Sequence, residues 1–459
     1  MKRYFIQTFG CQMNVHDSER MAGMLDDLGL APTDEPAEAS VILMNTCAVR
    51  ERPEHKLYSE LGVLKRLKID NPDLIIGVAG CMAQREADNI RRRVPEVDIL
   101  LGPRNLHHLP YLLRNAQTSS TRYNDGLDLE CDPTPVTSVR RSSAIAAYVD
   151  VIFGCNFNCT YCAVPSARGR EVSRRPSEIL DEIRQLRDLG YREITLLGQT
   201  VNAYGHDLGK VDETRINFSW LLREIDKIDS GLRVRYTSPH PMYFNDELIE
   251  TIASTRSVCE HLHMPMQSGD NDCLSRMKRT YTVEKYRGIV ERVRERIPNV
   301  AVTTDCIVGF CGESDAEFEN TLRVFREIRF DNAFMFAYSP RHTTAAWDWP
   351  DDVPAATKSA RLAQIIDLQR EISRDINIER VGETVEVLVE GTSHKDITKL
   401  SGRTRESKLV AFSGNLAQTP PGSLVEVRTN SGFLWGFTGE MTRVVRSSAP
   451  KLTLELVAV

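Results

Sequence analysis

Cys155-Asn156-Phe157-Asn158-Cys159-Thr160-Tyr161-Cys162 sets three cysteines in a C-x3-C-x2-C spacing. Three thiolates this close can hold three irons of a 4Fe-4S cluster, leaving the fourth iron open to a small molecule. A structural zinc site wants four closed ligands, and no fourth Cys or His lies nearby in the chain. A zinc knuckle completed from a distance is the bland alternative. The run immediately before it, Ile145–Phe153, reads as a buried strand. The cysteines therefore sit at a strand's C-terminal end, where barrel enzymes keep their active sites.

Downstream, the same strand-then-helix rhythm continues. Strands are expected at Glu193–Leu197, Arg233–Thr237, Glu260–Pro265, Val300–Val308 and Ala333–Tyr338, with helices at Ser177–Leu189, Phe218–Ile228, Asp246–Ala253, Val283–Arg296 and Ser314–Ile328. A closed (βα)8 barrel takes about 250 residues; six units fit a barrel left open on one side. The amphipathic stretch Thr357–Glu379 closes this region. Beyond Val381, strands alternate directly (Thr384–Glu390, Leu409–Phe412, Leu424–Thr429, Phe433–Glu440) with Gly and Pro turns, the pattern of a small antiparallel barrel.

Upstream, residues 1–116 hold smaller strand–helix units: Tyr4–Phe9, Val41–Met44, Leu74–Ala79 and Val97–Leu101 alternate with helices, implying a parallel sheet. Residues 117–143, with Thr118-Ser119-Ser120-Thr121, Pro133 and Pro135, read as a linker. Cys11, Cys47 and Cys81 each follow a strand directly. Strand C-termini of a parallel sheet share one edge, where open α/β folds bind ligands. Three thiols distant in sequence thus converge, and a second Fe-S cluster with an open iron is the sharper reading; three ordinary buried cysteines is the plain one.

Of 459 residues, eleven are cysteine. An odd count without a signal-like hydrophobic start argues for metal binding or catalysis over disulfides and for the cytoplasm. No apolar run is long enough to span a bilayer, and a net charge of −6 means that a nucleic-acid partner needs a local basic patch. Lys395, Lys399, Arg403, Arg405 and Lys408 against Asp396 and Glu406 make one such patch; Arg168, Arg170, Arg174 and Arg175, with Glu171 the one acid, make another. Solvated charged faces would look the same. The remaining cysteines, Cys131, Cys259, Cys273, Cys306 and Cys311, read as small buried or incidental residues.

The C-x3-C-x2-C loop on a partial barrel resembles the radical SAM superfamily. The second thiol set narrows this to its methylthiotransferases. Further strings carry the resemblance: Phe9-Gly10-Cys11-Gln12-Met13-Asn14, Asn45-Thr46-Cys47-Ala48-Val49-Arg50, Gly80-Cys81-Met82-Ala83-Gln84-Arg85, Arg168-Gly169-Arg170-Glu171, Leu197-Gly198-Gln199-Thr200-Val201-Asn202, Gln267-Ser268-Gly269 and Ile307-Val308-Gly309-Phe310. The C-terminal barrel resembles a TRAM domain, an RNA-binding module; Glu390-Gly391-Thr392-Ser393 and Leu400-Ser401-Gly402-Arg403-Thr404 match the tRNA-modifying branch.

The resemblance implies an α/β protein in three parts: a Rossmann-like parallel domain (1–118), a linker (119–140), a partial (βα)6 radical SAM barrel (141–378) and an OB-like TRAM barrel (379–445). It implies two 4Fe-4S clusters, on Cys11, Cys47 and Cys81 and on the catalytic Cys155, Cys159 and Cys162. It implies S-adenosylmethionine held near Tyr161, Gln199, Asn202, Gln267, Gly309 and Phe310. The implied reaction replaces the C2 hydrogen of N(6)-dimethylallyladenosine, beside the tRNA anticodon, with a methylthio group. The protein would work as a monomer with a flavodoxin- or ferredoxin-type donor. A threonylcarbamoyl-adenosine or ribosomal-protein substrate, or a non-catalytic RNA-binding Fe-S sensor, stays open. Pro165-Ser166-Ala167, Cys311 and His342-Thr343-Thr344 depart from the family's usual strings without removing a cluster ligand.

Overall fold

The computed structural model describes residues 2–47, 51–118, 124–131, 138–211 and 214–448. The strings Ala48-Val49-Arg50 and Ser119-Ser120-Thr121, and Pro133 and Pro135, lie outside them.

The first sheet is six-stranded and wholly parallel: β1 (Arg3–Phe9), β2 (Ala31–Pro32), β3 (Val41–Thr46), β4 (Ile75–Gly80), β5 (Ile99–Leu101) and β6 (Asn124–Gly126), in the order β2-β1-β3-β4-β5-β6. Successive side chains of β3 point to opposite faces. Ile42 and Met44 join Leu57 and Leu61 of α2 (Glu51–Asp70) and Ile90 of α3 (Cys81–Arg93). Val41 and Leu43 join Met21 and Leu25 of α1 (Gln12–Asp27) and Leu109 of α4 (Leu109–Thr118). Helices on both faces explain why β3 and β4 are buried along their whole length rather than alternating.

β6 lies inside the stretch read as a linker. Asn124 N–H donates to Asp98 O at 3.0 Å and Gly102 N–H to Gly126 O at 2.7 Å, so pairing with β5 holds it. Asn-Asp-Gly is a turn signature by composition; backbone hydrogen bonding to a preformed edge overrides it.

The second part has β7 (Ala146–Asp150), a short antiparallel pair β8 (Ile152–Phe153) and β9 (Val172–Ser173), β10 (Glu193–Leu197), a small hairpin β11 (Lys210–Val211) and β12 (Thr214–Arg215), β13 (Arg233–Tyr236), β14 (His261–His263), β15 (Ala301–Val308) and β16 (Asn332–Ala337). β7, β10 and β13 pair in parallel, as do β14, β15 and β16. A parallel bridge between Val234 and Val258 joins the two halves. Helices α5 (Val164–Arg168), α6 (Pro176–Asp188), α7 (Phe218–Ile228), α8 (Asp246–Ser254), α9 (Asn271–Arg276), α10 (Val283–Arg296), α11 (Asp315–Ile328) and α12 (Ala355–Glu379) complete the six-unit partial barrel. α11 begins with a reciprocal Ser314–Glu317 capping box.

The third part is a closed barrel, β17 (Thr384–Thr392), β18 (Lys399–Arg403), β19 (Leu409–Ser413), β20 (Leu424–Phe433) and β21 (Gly436–Arg446), in the order β17-β18-β19-β21-β20. The pairing of β19 with β21 is parallel and the other four are antiparallel. Directions cannot alternate all the way round a ring of five, so closure requires one parallel pair.

The turn between β18 and β19 caps the N-terminal mouth of the partial barrel. Arg233 donates to Arg403 O (2.6 Å), and Arg235 donates to Arg405 O (2.7 Å) and Thr404 O (2.8 Å). Arg405 pairs with Glu260 at 2.7 Å and Lys408 with Asp331 at 2.7 Å.

Two candidate cysteine centres

Cys155, Cys159 and Cys162 lie in the loop between β8 and α5. Cys155 N–H donates to Gly169 O (3.1 Å) and Cys162 N–H to Cys159 O (3.0 Å), folding the loop on itself. Each sulfur has a polar neighbour. Thr200 Oγ1 lies 3.1 Å from Cys155 Sγ, Arg279 Nη1 donates to Cys159 Sγ at 3.3 Å, and Val164 N–H donates to Cys162 Sγ at 3.4 Å. The three thiols are near enough to interact electrostatically. Burial pushes the Cys162 thiol up to about 12 and also raises Cys155, against the hydrogen bond from Thr200. A bound cation is what deprotonates thiols in such a place. Three clustered sulfurs, each with a hydrogen-bond partner, fit three ligands of a 4Fe-4S cluster.

The expected cofactor-side residues fall into two groups. Gln199 Oε1 accepts Gly154 N–H, tying it to the cysteine loop. Asn202 donates to His240 O (3.0 Å) and accepts His240 N–H (2.7 Å), so its amide fixes a neighbouring loop. Gln267 is a non-glycine residue at φ +73°, bridged to Cys306, an arrangement of stored strain typical of functional sites. Gly309 sits at φ +69°, and a Cβ there would lie 2.4 Å from Lys358 Cγ. Its N–H donates to Glu313 Oε2 at 2.6 Å, and Arg361 pairs with that carboxylate at 2.8 Å. The Phe310 ring is fully buried among Tyr161, Tyr338 and Trp349. It packs edge-on against Tyr161.

Cys11, Cys47 and Cys81 do converge. Cys11 caps α1 and Cys81 opens α3, so both lie at positive helix ends. Cys47 N–H donates to Phe9 O at 2.9 Å. A hydrogen bond from Cys47 holds the Cys11 thiol below the usual range; burial raises Cys81, and Arg168 acts in the opposite sense on it. Beneath the thiols, Asn14 and Asn45 are fully buried and mutually bonded, with Asn14 Nδ2 to Asn45 Oδ1 at 3.0 Å and Asn45 Nδ2 to Asn14 O at 2.8 Å. Gly80 at φ +89° lets β4 turn directly into Cys81; a Cβ would lie 2.4 Å from Asn45 Oδ1. This closed, three-thiol set beside a cation also fits three cluster ligands.

The RNA-side expectations divide. Arg170 and Lys395 are exposed, and Lys399 and Arg403 are partly so, paired with Asp396 and Glu390. Arg168 is not on that surface: it is 4% exposed and donates to Asp17 Oδ2 at 2.8 Å, beside Cys11 and Cys81. Arg405 and Lys408 are also corrected, since Glu260 and Asp331 take their charges at the joint between barrels. Charge alone does not tell a solvated cation from an interdomain ion pair; the partners are more than seventy residues away in each case.

Residues 3–102 match the uncharacterized protein family UPF0004, 149–325 the radical SAM superfamily, and 379–429 the TRAM domain. A tRNA-2-methylthio-N(6)-dimethylallyladenosine synthase of Carboxydothermus hydrogenoformans is 46% identical over 440 residues, covering 95% of this chain and 99% of the relative. The chain belongs to the tRNA-2-methylthio-N(6)-dimethylallyladenosine synthase family. Synthases of the same name from Moorella thermoacetica and Halalkalibacterium halodurans are each 45% identical, over 96% of this chain and over 98% and 82% of their own. Among solved structures, the radical S-adenosylmethionine methyltransferase TsrM of Kitasatospora setae aligns at a TM-score of 0.54 and 15% identity, over 76% of this chain and 77% of that one, a likeness of fold.

Family strings point to the cysteines of this synthase-family chain and include Thr200 without giving it a role, but they do not reach Arg279 or Asp17, which contact or neighbour the thiols. Nor did they mark the stack of Phe157 on His240, with centroids 3.9 Å apart and planes 10° from parallel. Burial and the nearby Arg279 hold His240 down at about 2, so it packs as a neutral ring.

Proposed function

We propose that this chain is a tRNA methylthiotransferase of the radical SAM type, exchanging the C2 hydrogen of N(6)-dimethylallyladenosine next to the anticodon for a methylthio group. The observation that carries the reading is the pair of convergent three-thiol sets in a chain that matches its relatives almost end to end. A purine C2–H is too weakly acidic for an ordinary side-chain base, so radical chemistry suits the task. A loop base can be splayed out without opening a duplex.

When bound, two 4Fe-4S clusters and S-adenosylmethionine supply the one-electron cleavage, the sulfur site and the methyl group. Cys155, Cys159 and Cys162 would hold one cluster, and Cys11, Cys47 and Cys81 the other. The chain's own work is placement. Arg279 and Thr200 orient two sulfurs of the first set. Tyr161, braced by Phe310, closes one wall, and Gly309 with Glu313 shapes the adjoining turn. Burial of Cys47, Cys81 and Cys159 keeps water from the sulfurs.

The reading divides the chain into the units 1–118, 141–378 and 379–445, with Arg170, Lys395, Lys399 and Arg403 on the RNA side. It includes a flavodoxin- or ferredoxin-type electron donor, a cytoplasmic location and action as a monomer. Among the described residues, no helix is long and apolar enough to cross a membrane. Mass spectrometry of tRNA nucleosides from a strain with and without the gene tests it: the 2-methylthio derivative of the dimethylallyl nucleoside should disappear with the gene. An unchanged level would overturn the substrate, and a loss confined to threonylcarbamoyl-adenosine would move it.

A further inference from the structure

Cys131 reads as incidental in the sequence, yet it faces two histidines. His107 and His108 end the 3-10 turn Pro103–His108, their ring centroids 4.1 Å apart and steeply inclined. Cys131 Sγ lies 3.8 Å from His107 Nε2, and one ligand atom from each of the three residues falls within 4.8 Å of the others. Among the described residues, His107 Nδ1 is buried without a hydrogen-bond partner, so the contact with Cys131 is the polar interaction that holds this ring on its other side.

We propose that His107, His108 and Cys131 bind one zinc ion, separate from both clusters. Two imidazoles and one thiolate form a donor set of the borderline softness that zinc takes. Zn–S of about 2.3 Å and Zn–N of about 2.1 Å at a tetrahedral angle put sulfur and nitrogen about 3.6 Å apart. The observed separation of Cys131 Sγ and His107 Nε2, 3.8 Å, is close to that, and the other separations lie within 4.8 Å. The thiolate offsets one of the two positive charges, and the fourth position falls to water.

The site's place gives it a structural task. Arg104 Nη1 donates to Leu129 O (2.5 Å) and Asn105 Nδ2 to Asp128 O (2.9 Å), so the segment leading to Cys131 is already laid along the turn that carries the histidines. Arg104 Nη2 also donates to Arg170 O at 2.9 Å, next to Gly169, whose carbonyl accepts Cys155 N–H. Zinc would complete this run of contacts and fasten the connector behind the catalytic cysteine loop.

The test uses the anaerobic holoprotein with both clusters loaded, equilibrated with zinc and then gel-filtered against a weak chelator. Iron and zinc are counted together, so zinc that has displaced iron shows as lost iron. One zinc per chain with unchanged iron is expected in the wild type, and none in Cys131→Ser or His107→Gln at the same iron content. Zinc-edge X-ray absorption of the wild type should report one sulfur and two nitrogens, which decides the matter even where a variant folds poorly. No zinc in the wild type, the same zinc in the variants, or an all-sulfur shell overturns the proposal and leaves a plain thiol–imidazole contact. Neither readout depends on methylthiotransferase activity, so failure of that reading would be seen separately in the nucleoside assay.

Discussion

Arg168 and Asp17, 151 residues apart, form a buried ion pair of 2.8 Å between the first domain and the short helix α5 that follows the cysteine loop of the second. Asp17 is 1% exposed, so its charge has no water to fall back on. The pair links the neighbourhoods of the two thiol sets.

Removing one partner of a buried pair strands the other and costs about 3–5 kcal/mol. Arg168→Met should therefore lower the urea midpoint markedly. The double variant with Asp17→Asn should recover part of that loss. An unfolding curve for Arg168→Met that overlays wild type would show that the pair contributes nothing.

Gly80→Ala drives a methyl group into the Asn45 amide from a left-handed backbone. The Cys11, Cys47 and Cys81 set should lose its geometry while the Cys155, Cys159 and Cys162 set is untouched. Iron per reconstituted chain should fall from about eight to about four. An iron content unchanged from wild type would contradict the assignment of Gly80 as the hinge.

Arg279→Leu removes an N–H···S bond and a positive charge from Cys159. Both favour the more negative, reduced cluster, so its midpoint potential should become more negative. About 1 kcal/mol of differential interaction corresponds to about 40 mV for one electron. An EPR-monitored redox titration reads the shift; a more positive potential would reverse the argument.

Glu182 is held below the usual carboxylate range. Burial pushes it up, but Arg174, Arg141 and His16 together outweigh that. Its native state binds fewer protons than the unfolded chain, so stability rises with pH across this window. The contribution is fully present above about pH 4.3 and is lost as pH falls through the depressed native value. Denaturant midpoints for wild type should drop below about pH 4. The slope should be shallower in Glu182→Gln.

Lys395→Ala and Lys399→Ala should weaken tRNA binding without changing formation of 5′-deoxyadenosine. Removing a lysine that neutralises one phosphate reduces the slope of affinity against salt by about 1. Arg405→Ala should behave differently, loosening the joint at Glu260 and lowering stability. Equal effects from all three would remove the distinction between an RNA-facing side chain and a domain bolt.

The architecture is legible wherever periodicity and strand-end chemistry agree. Cys11, Cys47 and Cys81 each follow a strand, and parallel topology brings strand ends together. β6 is not legible, because Asn124-Asp125-Gly126 is turn-like in composition and is held by an edge formed elsewhere. Arg168, Arg405 and Lys408 are misplaced by sequence reasoning because a sequence shows a charge but not its counter-charge.

The short helix Val164–Arg168 also acts as a spacer. Helical rise is about 1.5 Å per residue and extended chain covers at most about 3.6 Å. Arg168 therefore lies within about 13 Å of Cys162, backbone to backbone. Inserting one residue ahead of Arg168 would turn its side chain by about 100° round the helix and swing it away from Asp17. The length of this segment, more than its composition, sets how far apart the two thiol sets can stand.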